Sequence, residues 1–469
     1  MPPAKFFCGT GALLGTGLRT RRRAARRTAR RPPQIAPTRH NATVSRHTKR
    51  SPGRGPRARR PGRDETPEGV LDAAVTAIVA SIRRDGSGLA GVADPLEAEL
   101  FASGILAMWH VDPLQDAEPL EILAKAVMER LADRPDPDAL AVLLAVSALA
   151  PPPLDVTARA AVEKLRKAAT PEPVWSRFIG RPTLVDAWIS TDELDDQSNV
   201  LAAFAYDRRS PHALNLIIDA NFQGLVRSVF VTGDPDAVRR QWEEVSGLPI
   251  RPLDGQALAD LLGHGIEMFD LYLDPPVSED VDELMPLLRA RLRLLPTPRP
   301  IEPNEVSDEE RAELVAAFAI SSEATGMQSV EGGSAADLAR WFVDFACDYG
   351  AGDPLRWSPI AVEIFLGDWL PRKAILEPDE TEVLPEVLRR FVRFSARRKG
   401  LAEEVFAETL EAVDRFAPDF VVGMADDDRA GPAKQLARDL RASGIDLADQ
   451  SAVQRWIDER NEGLPIQRT

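Results

Sequence analysis

The chain has 469 residues and a formal charge of −15, and that charge is divided between two very different parts. The first 63 residues hold 18 basic and no acidic residues, whereas the remaining 406 hold 40 basic and 73 acidic residues, a formal charge of −33. No run of about 18 apolar residues exists, which excludes a transmembrane helix, and the two cysteines, Cys8 and Cys347, exclude a disulfide framework or a zinc site of several thiolates. This cysteine usage favours a reducing cytoplasm.

Residues 1–63 form a basic tail in which an Arg-rich run follows a mildly apolar stretch, the reverse of the order in a secretory signal. Three interpretations are open: a disordered arm that binds nucleic acid, an arm that docks on the acidic body, or a misassigned translation start. We favour the third, because the tail has no folding periodicity. In the first interpretation the phosphates are neutralised by arginines of the run, namely Arg21, Arg22, Arg23, Arg26 and Arg27.

Residues 64–170 are predicted to form a helical domain. Apolar residues spaced at i, i+4 and i+8 predict an amphipathic helix over 67–84, and Asp94-Pro95 is a typical start for the next one. Further helices are expected at 118–132 and up to about residue 169. The segment 138–150 is apolar nearly all round, which predicts a central helix.

Residues 171–296 are predicted to form an α+β unit. Short segments rich in Val, Ile, Leu and Phe alternate with turn residues, which predicts an antiparallel β-meander rather than a parallel βαβ sheet. The predicted strands lie at 186–191, 200–207, 213–219 and 225–231, and the predicted helices at 235–245, 254–272 and 279–294.

The Pro-rich segment 294–305 is a predicted linker, and residues 306–469 are predicted to form a C-terminal helical domain. Ser307 and Glu310 have the spacing of a capping box at its first helix. The expected fold class is therefore mainly α with a small antiparallel β-meander (α+β), in which helical N- and C-terminal parts flank the sheet unit.

Common motifs for nucleotides, metal ions and catalytic nucleophiles are missing from the sequence. No P-loop, His-Glu-x-x-His, Cys-x-x-Cys or Gly-x-Ser-x-Gly sequence occurs, so no cofactor is predicted. His212 and His264 lack a second His or Cys at ligand spacing, which favours surface or core-edge positions for both.

Two groups of carboxylates are the candidate sites. Asp192, Asp195 and Asp196 cluster before a predicted strand and are metal candidates, because hard cations prefer oxygen ligands. Glu363 and Asp368 are candidate catalytic acids. Apolar residues surround Glu363 in the sequence, so two interpretations are open: a buried acid with a raised pKa, or a carboxylate paired with a base such as Arg372. A solvated acidic loop and a structural helix are the competing interpretations of the two groups.

Three segments carry a resemblance: DAWISTDELDDQSNVLAAF (186–204), HALNLIIDANFQGLVRSVFVT (212–232) and WSPIAVEIFLGDWLPRK (357–373). Together they resemble conserved uncharacterised proteins of high-GC Gram-positive bacteria. This resemblance implies no activity and no site residues.

The leading functional hypothesis is a non-enzymatic interaction or regulatory protein of the cytoplasm with a protein partner, acting through helical surfaces or the edge of the meander. One alternative is a carboxylate-based enzyme, with or without a divalent metal. Another is nucleic-acid association through the tail. The body is too acidic to favour nucleic acid, and no membrane association is predicted.

Overall fold

The N-terminal helices begin where Asp-Pro sequences place a capping carboxylate before a proline. Asp94 accepts a hydrogen bond from the Leu96 amide, and Asp136 accepts one from the Asp138 amide. In the computed structural model the helices of this part are α1 (Pro67–Asp85), α2 (Pro95–Ala107), α3 (Glu118–Leu131), α4 (Pro137–Leu149) and α5 (Leu154–Lys167). Helix α4 lies buried among its neighbours, as its apolar sequence predicts.

The structure describes residues 67–109, 118–207, 209, 211–245, 248–272, 275–300, 305–327, 329–330, 333–445 and 451–456. The described residues from 73 onward belong to one compact unit. The predicted division of the body into three domains stays a prediction. We call residues 73–296 the first lobe and residues 305–445 the second lobe.

An antiparallel five-stranded sheet lies in the first lobe, with the strand order β4-β3-β2-β1-β5. Its strands are β1 (Thr183–Thr191), β2 (Gln197–Ala205), β3 (His212–Asp219), β4 (Leu225–Thr232) and β5 (Ile250–Pro252). The predicted meander is confirmed, and β5 adds a strand that the sequence does not indicate, since it has three residues and ends in a proline.

The two faces of the sheet are covered unequally. One face carries Leu214, Leu216 and Val229, which are fully buried on the side of α7 (Gly255–Leu271) and α8 (Glu279–Leu292). The other face carries a small cluster of Leu201, Ala203 and Ala213 beneath α6 (Pro235–Val245). Because successive side chains of a strand point to opposite faces, this difference follows the period-2 pattern of β2 and β3.

The second lobe is built from helices around an aromatic core. Its first helix begins with the predicted capping box, in which Ser307 and Glu310 exchange hydrogen bonds, so this prediction is confirmed. The elements are α9 (Asp308–Ala319), β6 (Ser329–Val330), β7 (Gly333–Ser334), α10 (Ala339–Asp348), α11 (Pro359–Ile364), a π-helical turn (Phe365–Trp369), α12 (Leu370–Lys373), α13 (Pro378–Lys399), α14 (Glu403–Ala425) and α15 (Pro432–Ala442).

Edge-to-face aromatic pairs hold this second core together. Phe342 contacts Phe365 at a ring distance of 5.6 Å, and Phe318 contacts Phe391 at 5.2 Å. Each fully buried Phe contributes about 1.5–3 kcal/mol, and such ring pairs add about 0.5–1.5 kcal/mol. The predicted fold class, mainly α with a small antiparallel sheet, is confirmed.

Candidate functional site

Strand β4 is the open edge of the sheet. It pairs with β3 on one side only, and its segment 228–232 reads Ser-Val-Phe-Val-Thr, with no charge and no proline. Proteins usually protect an edge strand with charges, prolines or a covering element, because its unpaired backbone groups accept another strand. Segment 228–232 is protected neither by charged residues nor by a proline.

Local structure turns this strand toward solvent. The β3–β4 turn places Gly224 at a φ of 84°, which a glycine adopts without strain. A β-bulge between Ile217 and Ile218 then shifts the register of β4. Beyond the bulge Val229 faces the core and is fully buried, while Phe230 faces outward and is 45% exposed. An exposed Phe on an edge strand is the feature that distinguishes this surface.

On the outer side of strand β4, only the beginning of the strand is covered. The Ser278 amide donates a hydrogen bond to the Arg227 carbonyl at 2.9 Å. Within the described ranges, no other backbone hydrogen bond reaches β4 from outside the sheet. Arg227 also donates to Asp219 at 3.0 Å, which anchors the start of the strand. The open part of the edge is therefore segment 228–232, which we call the β4 edge.

The opposite edge of the sheet differs in both length and chemistry. Strand β5 has three residues, and its Pro252 has no backbone N–H to offer to a further strand. Its Arg251 is exposed. A short edge strand with a proline and a charge is protected against pairing, so the two edges of one sheet are not equivalent.

The predicted metal candidates lie in the β1–β2 turn, where both oxygens of Asp192 and one oxygen of Asp196 accept hydrogen bonds. Asp192 accepts hydrogen bonds from the amides of Leu194, Asp196 and Gln197. Burial raises the pKa of Asp192 although these amides oppose the shift. Asp195 is exposed at a φ of 54°. The turn therefore holds itself in shape through Asp192.

Asp196 forms the junction between the two lobes. Its Oδ1 accepts from Arg356 of the second lobe at 2.6 Å and from Asn221 at 3.0 Å. Arg356 also donates to the Leu194 carbonyl at 3.0 Å. Burial raises the pKa of Asp196, while Ser358 and Arg356 act in the opposite direction.

No group of three or more His, Cys, Asp or Glu side chains in the part of the chain that the structure describes is arranged to hold a metal ion. In the β1–β2 turn, amides bind Asp192, Arg356 binds Asp196, and Asp195 is exposed. Metal binding by Asp192, Asp195 and Asp196 stays a prediction.

The two candidate catalytic acids both lie on a solvent-facing side of the second lobe. Glu363 is exposed, so the expected burial of its carboxyl is wrong. Val362, Phe365 and Leu366 form the buried side of this helix, and Glu363 falls outside that side. Asp368 is exposed as well and pairs with Arg372 at 3.3 Å. The structure therefore brings neither acid into an enclosed site.

A fully buried polar network in the first lobe was not predicted. Arg291 of α8 donates to Glu99 of α2 at 2.5 Å and to the Tyr206 hydroxyl at 2.9 Å. The Tyr206 hydroxyl donates to Glu99 Oε2 at 2.6 Å, and the Gly180 amide donates to Glu99 Oε1 at 2.7 Å. The available sequence signal was Glu99, one of two acids in the otherwise apolar helix α2.

His212 completes this network and is buried, so its predicted surface or core-edge position is wrong. Its Nε2 lies 3.2 Å from Arg291, whose guanidinium can only donate. His212 therefore accepts at Nε2 and carries its proton at Nδ1. Burial, with the charge of Arg291, lowers the pKa of His212 to about 3, so the ring is neutral at physiological pH. The network ties α2, β3 and α8 together and has a structural role.

The arginines of the tail, Arg21, Arg22, Arg23, Arg26 and Arg27, lie outside the described residues. Among the described residues, no helix is long and apolar enough to span a bilayer. Compared with known proteins, the chain matches no family model, no curated protein and no solved structure. The resemblance to proteins of high-GC Gram-positive bacteria therefore stays a prediction.

Proposed function

We propose that this chain is a non-enzymatic interaction protein of the cytoplasm, and that it binds an extended segment of a protein partner along the β4 edge. One observation carries this proposal: segment 228–232 is an uncharged edge strand with an exposed Phe230. In strand addition, backbone hydrogen bonds provide affinity and alternate side chains provide specificity. On the β4 edge, the exposed side chain of Phe230 would provide that specificity.

The chemistry of the remaining surface supports the same proposal. The body carries a formal charge of −33, which disfavours nucleic acid and favours a bound segment without acidic residues. Cys347 is a free thiol, and burial raises its pKa, which fits a protein kept reduced in the cytoplasm.

The proposal is tested by selecting random peptides from a display library on the full chain. Selected peptides are expected to bind the wild type, to lose at least tenfold in affinity on Phe230→Lys, and to slow amide exchange in 228–232. Lysine suits this test because natural edge strands use it to prevent pairing.

Val185→Lys is the matched control. Val185 is 49% exposed, close to the 45% of Phe230, but it lies on β1 near the other side of the sheet. Peptides that bind both variants as well as wild type would contradict the proposal.

A carboxylate-based enzyme is the second candidate, and a specific feature favours it. Asp192 and Asp196 have raised pKa values. Asp196 bonds to Asn221 and Arg356, which line a small pocket between the lobes. Partly desolvated acids beside a cleft are typical of acid–base sites. A thermal shift with millimolar Mg²⁺ or Mn²⁺ that disappears in Asp196→Asn tests the metal-dependent form, and an unchanged melting temperature contradicts it.

A further inference from the structure

The sequence of the β4 edge is nearly the same in both directions. Ser228-Val229-Phe230-Val231-Thr232 has Phe230 at its centre, Val on either side and a small hydroxyl residue at each end. Two antiparallel copies centred on Phe230 place Val229 opposite Val231 and Ser228 opposite Thr232. Phe then faces Phe, Val faces Val and Ser faces Thr, and aromatic and β-branched pairs directly opposite each other stabilise an antiparallel ladder. The two-fold axis makes the contact isologous.

We propose that the partner strand is β4 of a second copy of this chain, so that two five-stranded sheets join edge to edge across a two-fold axis at Phe230. This inference rests on the proposed function, since it names the extended segment that the β4 edge binds. In the joined sheet both Phe230 rings lie on the same face, beside each other.

The covered start of the strand agrees with this register. Arg227, whose carbonyl is already bonded to the Ser278 amide, lies opposite Gly233 of the second copy. Gly233 has no side chain, and no atom lies within 4 Å of the position a Cβ would occupy. Arg227, whose carbonyl already has a partner, thus faces Gly233, which has no side chain and needs little space.

The charge of the body limits where two copies can meet, and the β4 edge has no charged residue. Two bodies of −33 repel each other, and a contact without charged residues adds nothing to that repulsion. Added salt screens the repulsion, so the dimer is expected to strengthen with ionic strength. A ladder of five residues a side is smaller than a standard interface, so the association is expected to be weak and concentration-dependent.

Disulfide trapping tests both the partner and the register. In Phe230→Cys the two thiols lie on either side of the two-fold axis. Opposite Cα atoms in an antiparallel ladder are about 4.5 or 5.5 Å apart, which is inside the range that a disulfide spans, about 4.4–6.8 Å. Mild oxidation of the full chain carrying Phe230→Cys is expected to give a covalent dimer linked at position 230, identified by peptide mass spectrometry.

Two further cysteine variants fix the register. Thr232→Cys alone is expected not to link to itself, because two copies of residue 232 lie about 14 Å apart along the ladder. Thr232→Cys mixed with Ser228→Cys is expected to link, since these residues face each other. Linkage of Thr232→Cys to itself, or of Val185→Cys as readily as Phe230→Cys, would overturn the inference.

Sedimentation of the full chain separates this inference from the proposed function. A dimer that strengthens with salt and is lost in Phe230→Lys but kept in Val185→Lys supports the inference. A chain that stays monomeric throughout, while Phe230→Lys still abolishes peptide binding, overturns the inference and leaves the proposed function standing. A monomer whose peptide binding is also insensitive to Phe230→Lys overturns both.

Discussion

Two regions of the first lobe reverse the usual distribution of charged and apolar residues. The Glu99–Arg291 network places an ion pair in the core, where the two side chains are 0% and 1% exposed. The β4 edge leaves an apolar strand with a 45% exposed Phe at the surface. Removing a charge from water is costly unless it is paired, and in the first region Glu99 and Arg291 pair with each other, although the Nε of Arg291 has no hydrogen-bond partner among the described residues. The second has backbone groups for which the described part of the chain provides no partner outside the sheet, which makes it the region suited to a partner.

The largest expected effect comes from breaking the buried pair. Arg291→Met leaves the Glu99 carboxylate buried without its cation, which costs about 3–5 kcal/mol of unfolding free energy. The double variant Glu99→Met with Arg291→Met is expected to recover part of this loss, because no lone charge remains. Urea denaturation measures both.

Arg289→Met is the control for this prediction. Arg289 lies on the same helix and pairs with Asp270 at the surface, so its loss is expected to cost about 0–1 kcal/mol. Equal effects of Arg291→Met and Arg289→Met would show that the network does not stabilise the core.

The junction between the lobes is expected to be the next most sensitive position. Arg356→Met leaves Asp196 with Asn221 as a remaining donor, and the side chains of the ion pair are 7% and 8% exposed. We therefore expect a smaller loss, about 2–3 kcal/mol, with faster amide exchange in 192–197 and 219–224. Arg372→Met, which removes the exposed pair with Asp368, serves as the control.

The pH dependence of stability tests the neutral state of His212. Its pKa is about 3 in the folded chain and about 6.5 in the unfolded chain. As the pH falls the unfolded chain takes up the proton first, so the stability from neutral His212 is complete above about pH 6.5 and declines toward pH 3, at about 1.4 kcal/mol per unit.

We expect His212→Gln to remove about 2 kcal/mol of the stability difference between pH 7 and pH 5. His264→Gln is the matched control, because His264 is only partly buried and contacts the Gln223 carbonyl. Urea denaturation at both pH values measures the difference, and a His212→Gln curve parallel to wild type would contradict a neutral, buried His212.

The smallest effect on stability is expected at the open edge. Phe230→Lys is expected to change the unfolding free energy by about 0.5 kcal/mol or less, because its side chain is already half exposed. Phe204→Ala, in the buried part of β2, is expected to cost about 3–5 kcal/mol. A large loss in Phe230→Lys would mean that Phe230 belongs to the core rather than to a binding surface.

Local sequence signals predicted most elements and few of their contacts. Periodicity located α4 and the meander, and the Ser307–Glu310 spacing predicted a capping box that the structure confirms. The burial of Glu363 was predicted wrongly, because apolar neighbours along a helix do not decide which side a residue takes. The burial of His212 was not predicted because its hydrogen-bond partner, Arg291, is 79 positions away in the chain.

The sequence by itself determined the division into a basic tail and an acidic body, the helical class and the presence of an antiparallel sheet, because charge, periodicity and turn residues act over a few positions. Only the tertiary structure decided that Glu99 and Arg291 meet, that Arg356 reaches Asp196, and that β5 covers the β1 side of the sheet and leaves β4 as the open edge. Those outcomes depend on which distant segments pack together, and burial and strand pairing between distant residues leave no local pattern in a single chain.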